Sequence, residues 1–493
     1  MNGFSGILKR AISGSVRHEG RPPPLIVATR TDGLGGRLLA MANAKALADR
    51  LGYRFGFTWN SRKITDQESH TVDLVQNIFC AEFIDRHWLG EKVRAADFDL
   101  VGHAPFTSSD LDGIARQGRR RGWICNEFNA LDFFRDDGAG PPRRSEALRA
   151  FGYAPAVRRA LDAAGTCRLP GPMAALHLRS GDIVHGTPRR RLVFADKVIP
   201  STLAKAIVSE LSSKGLTTLL VGQDRAVLDY LQAETGALRT EDFGAGDFKD
   251  EALNAFFEMA LMARCQEIHA GKSIYAVVAS VMGDVPCVGP GALFGNQRAA
   301  NFVLEELRAN EADYHPREAA FGYQWAFLTL EGETSPTHAR EFLKKAQVLD
   351  PENDAYDLKV AAAYFRDGDY PAGEAILKSR LVSQSPRRSK IPLPMMDIMT
   401  NPAGGWLAME RDFEVFFAAA KAGHPYAMAC SAYVLLEALG DQKSALEMAE
   451  RLVMIEPGNP IFRRIRRRVE MGRKPKSRLA RARWRLGRLR WPL

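Results

Sequence analysis

The sequence predicts an α/β protein with two α/β domains, followed by a region built of helices. Strand and helix patterns alternate up to about residue 290, which is typical of parallel sheets covered by helices. After about residue 318 the strand patterns stop, and Ala, Leu and charged residues recur at helical spacing. A Gly- and Pro-rich break near residue 170 separates the two α/β stretches.

The first α/β stretch begins with the apolar run Leu25-Ile26-Val27-Ala28, which predicts a buried strand. The glycine turn Gly33-Leu34-Gly35-Gly36 follows it. Apolar residues at helical spacing over 37–51 predict a helix that ends at Gly52. Residues 53–59 predict the next strand. This succession of strand, glycine turn, helix and strand builds parallel sheets.

The boundary between the two α/β domains is predicted at Leu169-Pro170-Gly171-Pro172. A predicted helix over 146–164 precedes this break, and an apolar run over 174–178 begins the next strand. The predicted division of the chain is a lead-in at 1–24, α/β domains at 25–168 and 169–315, helical repeats at 320–460 and a basic tail at 461–493.

The region after residue 320 predicts about three degenerate tetratricopeptide-like units that form a short all-α solenoid. Two sets of residues have the offsets of this repeat, namely Ala339, Leu343, Ala346 and Pro351, and then Ala445, Ala449, Leu452 and Pro457. Residues 364–370 have the composition of a turn between two helices. Such repeats recognise proteins or glycans, or serve as spacers or dimer surfaces, and the pattern does not distinguish these roles.

The positive charge of the chain is concentrated in its tail. The total is +10, whereas residues 461–493 carry 14 Lys or Arg residues and one acid, which leaves −3 for the rest of the chain. A body without excess basic charge does not indicate a nucleic-acid surface. Arginines around Trp484 and Trp491 favour a surface helix on anionic lipid, with RNA binding or a disordered basic tail as the alternatives.

The cysteine pattern indicates a reducing compartment. Six cysteines are scattered along the chain without a CxxC pair, which is typical of reduced thiols and not of a disulfide framework or a zinc site. No apolar run approaches the roughly 20 residues that span a bilayer, and the first 16 residues lack the apolar core of a signal peptide. We expect a cytoplasmic protein, attached peripherally to the inner face of the membrane through its tail.

The segment His177-Leu178-Arg179-Ser180-Gly181-Asp182 lies at a predicted strand end, where open α/β sheets bind ligands. Arg179 there can bind two phosphate oxygens and stabilise the charge on a leaving diphosphate. Gly181 permits a sharp turn, and Asp182 can orient the arginine. The alternative is a surface turn with a structural Arg–Asp pair and a hydrogen-bonded core histidine, His177.

Two further strand-to-helix junctions can bind anions through the amides of a helix N-terminus. One is the glycine turn at 33–36 with Asp32 before it, and the other is Gly271-Lys272-Ser273-Ile274-Tyr275. A tight turn, or a helix capped by a side chain such as that of Asp32, is the alternative at these places. Glu258 lies on the helix before the second junction, where it can bind a ribose or base edge or remain a solvated carboxylate.

Together these segments resemble the GDP-fucose-dependent fucosyltransferases of the α-1,2, α-1,6 and bacterial nodulation types. The matching features are the glycine turn, the segment at 177–182, Gly222-Gln223-Asp224 at a strand end, Glu258-Met259 and the junction at 271–275, and they cover roughly residues 25 to 290. The resemblance implies two Rossmann-like domains in a GT-B-like architecture, the first on the acceptor side and the second binding the nucleotide sugar. It also implies inversion without a metal or cofactor.

The resemblance implies roles for individual residues as well. Arg179 is implied to contact the β-phosphate of the donor, Asp224 and Glu258 to lie near the nucleoside, and Ser273 and Tyr275 to lie by the phosphates. The stretch from Asp32 to Arg37 is implied to close over the donor. His177, Gly271 and Ile274 belong to the same segments and complete the predicted substrate-binding residues.

The sequence departs from the family where the catalytic groups are expected. Ser180 replaces the second of two adjacent arginines, and Thr187 stands where some relatives carry a carboxylate that can serve as the base. An inverting transfer needs a base for the acceptor hydroxyl, and the candidates are Asp182, His185 and Asp32. The run Arg189-Arg190-Arg191 either binds the donor or an anionic acceptor, or forms an exposed loop.

The sequence therefore predicts an inverting glycosyltransferase that uses a nucleotide sugar, GDP-fucose, and a glycan, glycoconjugate or lipid-linked acceptor. One alternative is a transferase of the same architecture for another nucleotide sugar. The other is a non-catalytic scaffold that binds protein partners through its repeats. Ser180 and the unassigned base are the features that motivate the scaffold alternative.

Overall fold

The computed structural model describes residues 22–62, 72–116, 120–135, 142–384, 394–400, 402–403, 406–407 and 409–472. Most of the predicted lead-in (1–21) and the predicted tail from residue 473 onward lie outside these described residues. Within them the chain is an α/β protein with parallel sheets, as predicted. Among the described residues, no helix is both long and apolar enough to cross a lipid bilayer.

Four short strands form the first sheet. They are β1 (Leu25–Ala28), β2 (Arg54–Phe57), β3 (Phe98–Val101) and β4 (Gly122–Cys125), in the order β2-β1-β4-β3. All neighbouring strands are parallel. Each residue of β1 is buried, as expected for an apolar strand inside a parallel sheet. The predicted first strand and the predicted cap at Gly52, which has a φ of +68°, are thereby confirmed.

Five strands form the second sheet. They are β5 (Met173–Leu178), β6 (Thr217–Gly222), β7 (Leu238–Arg239), β8 (Glu267–Ala270) and β9 (Cys287–Val288), in the order β7-β6-β5-β8-β9. Gly222 ends β6 so close to β5 that a Cβ atom there would lie 2.6 Å from the carbonyl oxygen of Leu178. Only glycine fits, and the segments that follow β5 and β6 therefore start side by side.

The helices up to residue 310 connect and flank these strands. They are α1 (Leu34–Leu51), α2 (Val75–Ile78), α3 (Ala81–His87), α4 (Ser108–Arg116), α5 (Arg144–Arg149), α6 (Pro155–Thr166), α7 (Ser201–Ser213), α8 (Arg225–Thr235), α9 (Glu251–Met262), α10 (Ile274–Gly283), α11 (Pro290–Phe294) and α12 (Asn296–Asn310).

The prediction of one helix over 146–164 is wrong, because the chain breaks between α5 and α6. Pro155 begins α6, in the first turn, where its missing N–H costs no hydrogen bond. The break carries Phe151 into an aromatic cluster, with ring centroids 5.6 Å from Phe83 and 6.5 Å from Phe55. Burial of this ring in a tight pack of aromatics favours the break over a continuous helix.

The chain after residue 315 is mainly helical. Its helices are α13 (Pro316–Thr329), α14 (Pro336–Leu349), α15 (Asp354–Arg366), α16 (Tyr370–Gln384), α17 (Pro394–Met399), α18 (Phe413–Lys421), α19 (Pro425–Val434), α20 (Gln442–Ile455) and α21 (Pro460–Glu470). A two-residue antiparallel hairpin, β10 (Pro402–Ala403) with β11 (Trp406–Leu407), departs from the all-α prediction. We call residues 316–470 the helical region.

The alanines and leucines of the two sets at tetratricopeptide-like offsets are buried, whereas the prolines, Pro351 and Pro457, are exposed. The buried residues are Ala339, Leu343 and Ala346 in α14, and Ala445, Ala449 and Leu452 in α20. Neighbouring helices pack in sequence, α13 on α14, α14 on α15 and α15 on α16. The predicted turn at 364–370 connects α15 to α16 through Gly368, whose φ is +78°. The assignment of these helices to tetratricopeptide-like units stays a prediction.

The start of the predicted tail is a packed helix. In α21 the apolar side chains of Ile461, Phe462, Ile465 and Val469 are buried in the core of the helical region. This face is therefore used for packing and is not available to a lipid surface. The exposed side of α21 carries Arg463, Arg466 and Arg467.

The chain divides into two compact units. The first contains the described residues up to Ala175, together with Leu238–Ile268 and Ser273–Cys287. The second contains Leu176–Ala237, His269–Lys272 and the described residues from Val288 onward, including the helical region. The predicted domain boundaries stay predictions. All six cysteines lie in the described residues and none forms a disulfide.

The close approach at Gly222 predicts that Gly222→Ala lowers the free energy of unfolding by about 1–3 kcal/mol, because the new methyl group meets a backbone carbonyl. Urea denaturation measures the change. Gly113→Ala is the matched control, since the helical Gly113 has open space around its Cβ position and should gain about 0.5–1 kcal/mol. Equal effects of the two substitutions would contradict the close approach.

Candidate functional site

The turn after β5 carries the predicted phosphate-binding arginine. The chain leaves β5 at Leu178 and forms a π-helical turn over Gly181–His185. Arg179 is partly exposed, and its Nη2 atom donates to Oδ2 of Asp182 at 3.3 Å. Asp182 is thus placed where it can orient the guanidinium, and its role stays a prediction. This contact agrees both with an oriented phosphate ligand and with the alternative of a structural Arg–Asp pair.

His177 and Ser180 are buried on either side of Arg179. Burial, reinforced by the positive charge of Arg179, lowers the pKa of His177 to about 3, so its ring stays neutral. Ser180 is 1% exposed. An arginine in place of Ser180 would therefore have its positive charge buried inside the protein.

A histidine and two carboxylates converge at the end of the same turn. Nε2 of His185 lies 2.9 Å from Oδ2 of Asp224 and 3.2 Å from Oε1 of Glu318. The three residues come from different elements, since Asp224 caps α8 directly after β6 and Glu318 lies in the first turn of α13. The close approach at Gly222 explains how Asp224 reaches the turn after β5.

The two carboxylates favour the protonated imidazole. The pKa of His185 is raised, chiefly by its hydrogen bond to Glu318, against the opposing effect of burial and with a further contribution from Asp224. The other oxygen of Glu318 accepts a hydrogen bond from Ser201 at 2.7 Å, and Oδ1 of Asp224 accepts one from the backbone of Val227. A ring held in this way can take a proton from a hydroxyl group, because the imidazolium that results is stabilised in place.

The same three side chains can also hold a metal ion. One ligand atom from each of His185, Asp224 and Glu318 lies within 4.8 Å of the other two, and no other such group occurs among the described residues. Imidazole nitrogen and carboxylate oxygen are ordinary ligands of divalent transition metals. The expectation that the protein uses no metal stays a prediction.

The glycine turn of the first unit is held by two arginines. Arg37 is buried, and it donates to the carbonyl oxygens of Asp32 at 2.7 Å, Asn60 at 2.9 Å and Thr31 at 2.9 Å. These three hydrogen bonds fix the backbone of the loop around the buried guanidinium. Arg30 pairs with the Asp32 carboxylate at 2.7 Å. Gly33 is the N-cap of α1 and no side chain caps that helix, so the alternative of Asp32 as a cap is wrong.

The structure brings the glycine turn against the junction at 273–275. A Cβ atom on Gly35 would lie 3.2 Å from Cα of Tyr275, and one on Gly36 would overlap the carboxylate of Asp32. Ser273 precedes Ile274 as the N-cap of α10, fully buried and without a side-chain capping bond. In the second unit, a Cβ atom on Gly271 would lie 2.5 Å from the backbone of Lys197, so close packing requires a glycine there.

Glu258 and Tyr275, which were predicted to contact different parts of the donor, contact each other. Oε2 of Glu258 lies 3.0 Å from the Tyr275 hydroxyl, which also lies 2.9 Å from the carbonyl oxygen of Ala255. Burial raises the pKa of Glu258 from 4.5 to about 7. A neutral Glu258 can donate to Tyr275 while Tyr275 donates to Ala255, which satisfies all three groups.

The predicted site residues thus form two groups, one in each unit. Arg179, Asp182, His185 and Asp224 lie together in the second unit, and the segment from Asp32 to Arg37 lies with Tyr275 in the first. The sequence did not reveal Glu318, which is far along the chain from His185. The start of α13 at His315-Pro316 is visible as a helix start, but nothing in the spacing relates it to the turn after β5.

No protein-family model matches the chain, and no curated protein matches it. Among solved structures, fucosyltransferase NodZ from Bradyrhizobium is similar over 52% of this chain and 92% of that chain, at 15% identity and a TM-score of 0.32. POFUT1 in complex with GDP is similar over 55% and 98%, at 11% identity and a TM-score of 0.32. NodZ alpha-1,6-fucosyltransferase soaked with GDP-fucose is similar over 53% and 93%, at 14% identity and a TM-score of 0.28. TM-scores this low do not establish a shared fold.

The raised pKa of Glu258 predicts that Glu258→Gln stabilises the protein at high pH. The folded state binds the proton more tightly than the unfolded state, so stability falls as pH rises from 4.5 to about 7. Urea denaturation should show Glu258→Gln to be more stable than wild type by roughly 1–3 kcal/mol near pH 8 and little changed near pH 5. Glu251→Gln, on the exposed side of the same helix, should show no such pH dependence. A pH-independent effect of Glu258→Gln would refute the assignment.

Proposed function

We propose that this protein is an inverting glycosyltransferase that moves a sugar from a nucleotide-diphosphate donor to a hydroxyl group of a glycan. The observation that carries the proposal is the pairing, within one turn after β5, of an oriented guanidinium with a carboxylate-bound imidazole. Arg179 and His185 supply these two groups. A cation for the leaving group and a base for the attacking group are what such a transfer requires.

Arg179 acts on the leaving group in this proposal. The bond between the anomeric carbon and the diphosphate oxygen breaks with its electron pair going to the diphosphate, so negative charge grows on that oxygen. A guanidinium already oriented by Asp182 stabilises this charge without reorganisation. His177 below it stays neutral and does not add to the charge of the site.

His185 acts on the acceptor. The acceptor oxygen attacks the anomeric carbon from the face opposite the diphosphate, which inverts the configuration. Nε2 of His185 holds its own proton against the two carboxylates, so Nδ1, the other ring nitrogen, takes the proton of the acceptor. Asp224 and Glu318 stabilise the imidazolium that forms. Because these carboxylates raise the pKa of His185, the fraction of neutral base, and with it the rate, should increase with pH through that pKa.

For the donor we propose GDP-fucose, on the resemblance carried by the segments at 33–36, 177–182, 222–224 and 271–275. For the acceptor we propose a glycan, a glycoconjugate or a lipid-linked sugar. Cytoplasmic location and attachment to an anionic membrane through residues 473–493 and the exposed arginines of α21 belong to the same proposal, as does a protein partner on the helical region. Three exposed arginines give such a surface electrostatic attraction of about 1 kcal/mol each.

Arg179→Ala should lower transfer and donor hydrolysis by about 10²–10³, because the developing diphosphate charge loses its counter-charge. Turnover is measured by release of the nucleoside diphosphate. Arg225→Ala is the control, since this exposed arginine begins the neighbouring helix α8 and is not one of the proposed site residues. Circular dichroism should show both variants folded. Undiminished turnover in Arg179→Ala would remove Arg179 from the mechanism.

A thermal-shift panel of GDP, UDP, CMP and dTDP sugars should show stabilisation by GDP-fucose, with and without a chelator. At a ligand concentration of 100 Kd the expected stabilisation is about 2.7 kcal/mol. Stabilisation by UDP sugars alone would refute the fucose donor, and no stabilisation by any nucleotide would favour the scaffold. Loss of transfer on chelation would show that His185, Asp224 and Glu318 serve a metal and not a proton.

A further inference from the structure

We propose that the helical region holds the candidate catalytic turn in position, and that Arg189 and Asp350 are its main positioning residues. The proposal rests on the proposed function in taking residues 179–185 as the site. The contacts that carry it lie within the second unit and are independent of any reaction.

The principal contact is a buried, bidentate ion pair. Nε of Arg189 lies 2.8 Å from Oδ2 of Asp350, and Nη2 lies 3.2 Å from Oδ1 of the same carboxylate and 3.0 Å from Glu352. Arg189 is 5% exposed and Asp350 is 4% exposed. The expectation of an exposed arginine loop at 189–191 is therefore wrong for Arg189. Two parallel hydrogen bonds between planar groups fix both distance and orientation, which a single contact does not.

The ion pair is tied directly to the turn. Nη1 of Arg189 donates to the carbonyl oxygen of Gly186 at 2.9 Å, one residue after His185. One guanidinium therefore joins the backbone at the end of the turn to the end of α14. A shift of α14 relative to the turn would break hydrogen bonds of a buried charge, which is costly.

A second set of contacts comes from α13. Nη1 of Arg317 donates to the carbonyl oxygen of His185 at 2.9 Å, while Glu318 approaches the His185 ring. Backbone and side chain of the same histidine are thus bound by adjacent residues of one helix. The ring centroid of His315 lies 4.8 Å from that of His185, with the two rings nearly perpendicular.

Apolar packing continues the attachment. Leu192, in the segment after Arg189, is buried in the hydrophobic core of the helical region together with side chains of α15 and α18. Residues 185–192 are therefore held by hydrogen bonds, an ion pair and core packing from the same region. These contacts indicate that the helical region supports the site. A module that only bound partners would not need them.

Hydrogen–deuterium exchange tests the positioning directly in the full-length protein. Arg189→Ala should raise the exchange rate of amides in residues 181–192 by at least about tenfold, because the turn loses its attachment to α14. Arg468→Ala is the matched control, since it breaks another ion pair of the helical region, Arg468–Glu437 at 2.6 Å, and should leave this segment unchanged. Equal exchange of 181–192 in the two variants would overturn the proposal.

Kinetics distinguish positioning from general stability. Arg189→Ala should lower kcat at least about tenfold, whereas Arg468→Ala should not, when both are measured well below their melting temperatures. Arg189→Lys, which keeps the charge but loses the bidentate contact, should recover part of the loss. Arg189→Lys also replaces Arg189→Ala in both measurements if Arg189→Ala does not fold. An Arg189→Lys variant with wild-type exchange and wild-type kcat would show that the bidentate geometry has no positioning role.

Different results would refute the proposed function and the positioning role of Arg189. If wild type turns over no nucleotide sugar, the proposed function fails, and the exchange comparison still decides whether the helical region holds the turn. If wild type is active and Arg189→Ala keeps both its exchange and its kcat, the proposed function survives and the positioning role of Arg189 is refuted.

Discussion

The charge of Arg189 is buried, and this constrains the conformation of the whole segment around it. A buried guanidinium is tolerated only where carboxylates and carbonyl oxygens use its donors, and here Asp350, Glu352 and Gly186 do so. Asp350 is the C-cap of α14, Glu352 lies in the turn that follows, and Gly186 ends the turn after β5. The two stretches cannot move apart without exposing or unpairing the charge. The candidate site therefore depends on residues that come more than 160 positions later in the chain.

The carboxylates of the two units differ in how burial acts on them. Glu258 is buried among groups that do not supply a full positive charge, so its pKa rises to about 7 and its proton is retained near neutrality. Asp224 and Glu318 face the imidazole of His185. Their negative charge stabilises the protonated ring, so the pKa of His185 rises. A carboxyl group is thus suited to donating a hydrogen bond in the first unit, where it keeps its proton, and to stabilising a cation in the second unit, where it is charged.

The sequence predicted what local patterns determine. The strand Leu25–Ala28, the cap at Gly52, the strand that ends at Gly222 and the turn before Tyr370 depend on residues close together in the chain. It did not predict the break at Phe151, because an aromatic side chain at helical spacing does not reveal that its partners lie on β2 and α3. Glu318 and Asp350 were missed for the same reason, since their partners are fixed only by tertiary packing.

Ser180 shows how packing limits the chemistry of the turn. With 1% exposure next to a neutral, buried His177, this position offers no room for a second exposed arginine, and a buried one would need its own carboxylate. Arg179 is therefore the one arginine of residues 179–186. A single charge is most effective when its direction is fixed before the ligand binds, because no free energy is then spent on orienting it during the reaction. Asp182 contacts the guanidinium of Arg179 directly, and Arg189 holds the backbone of Gly186 at the end of the same turn.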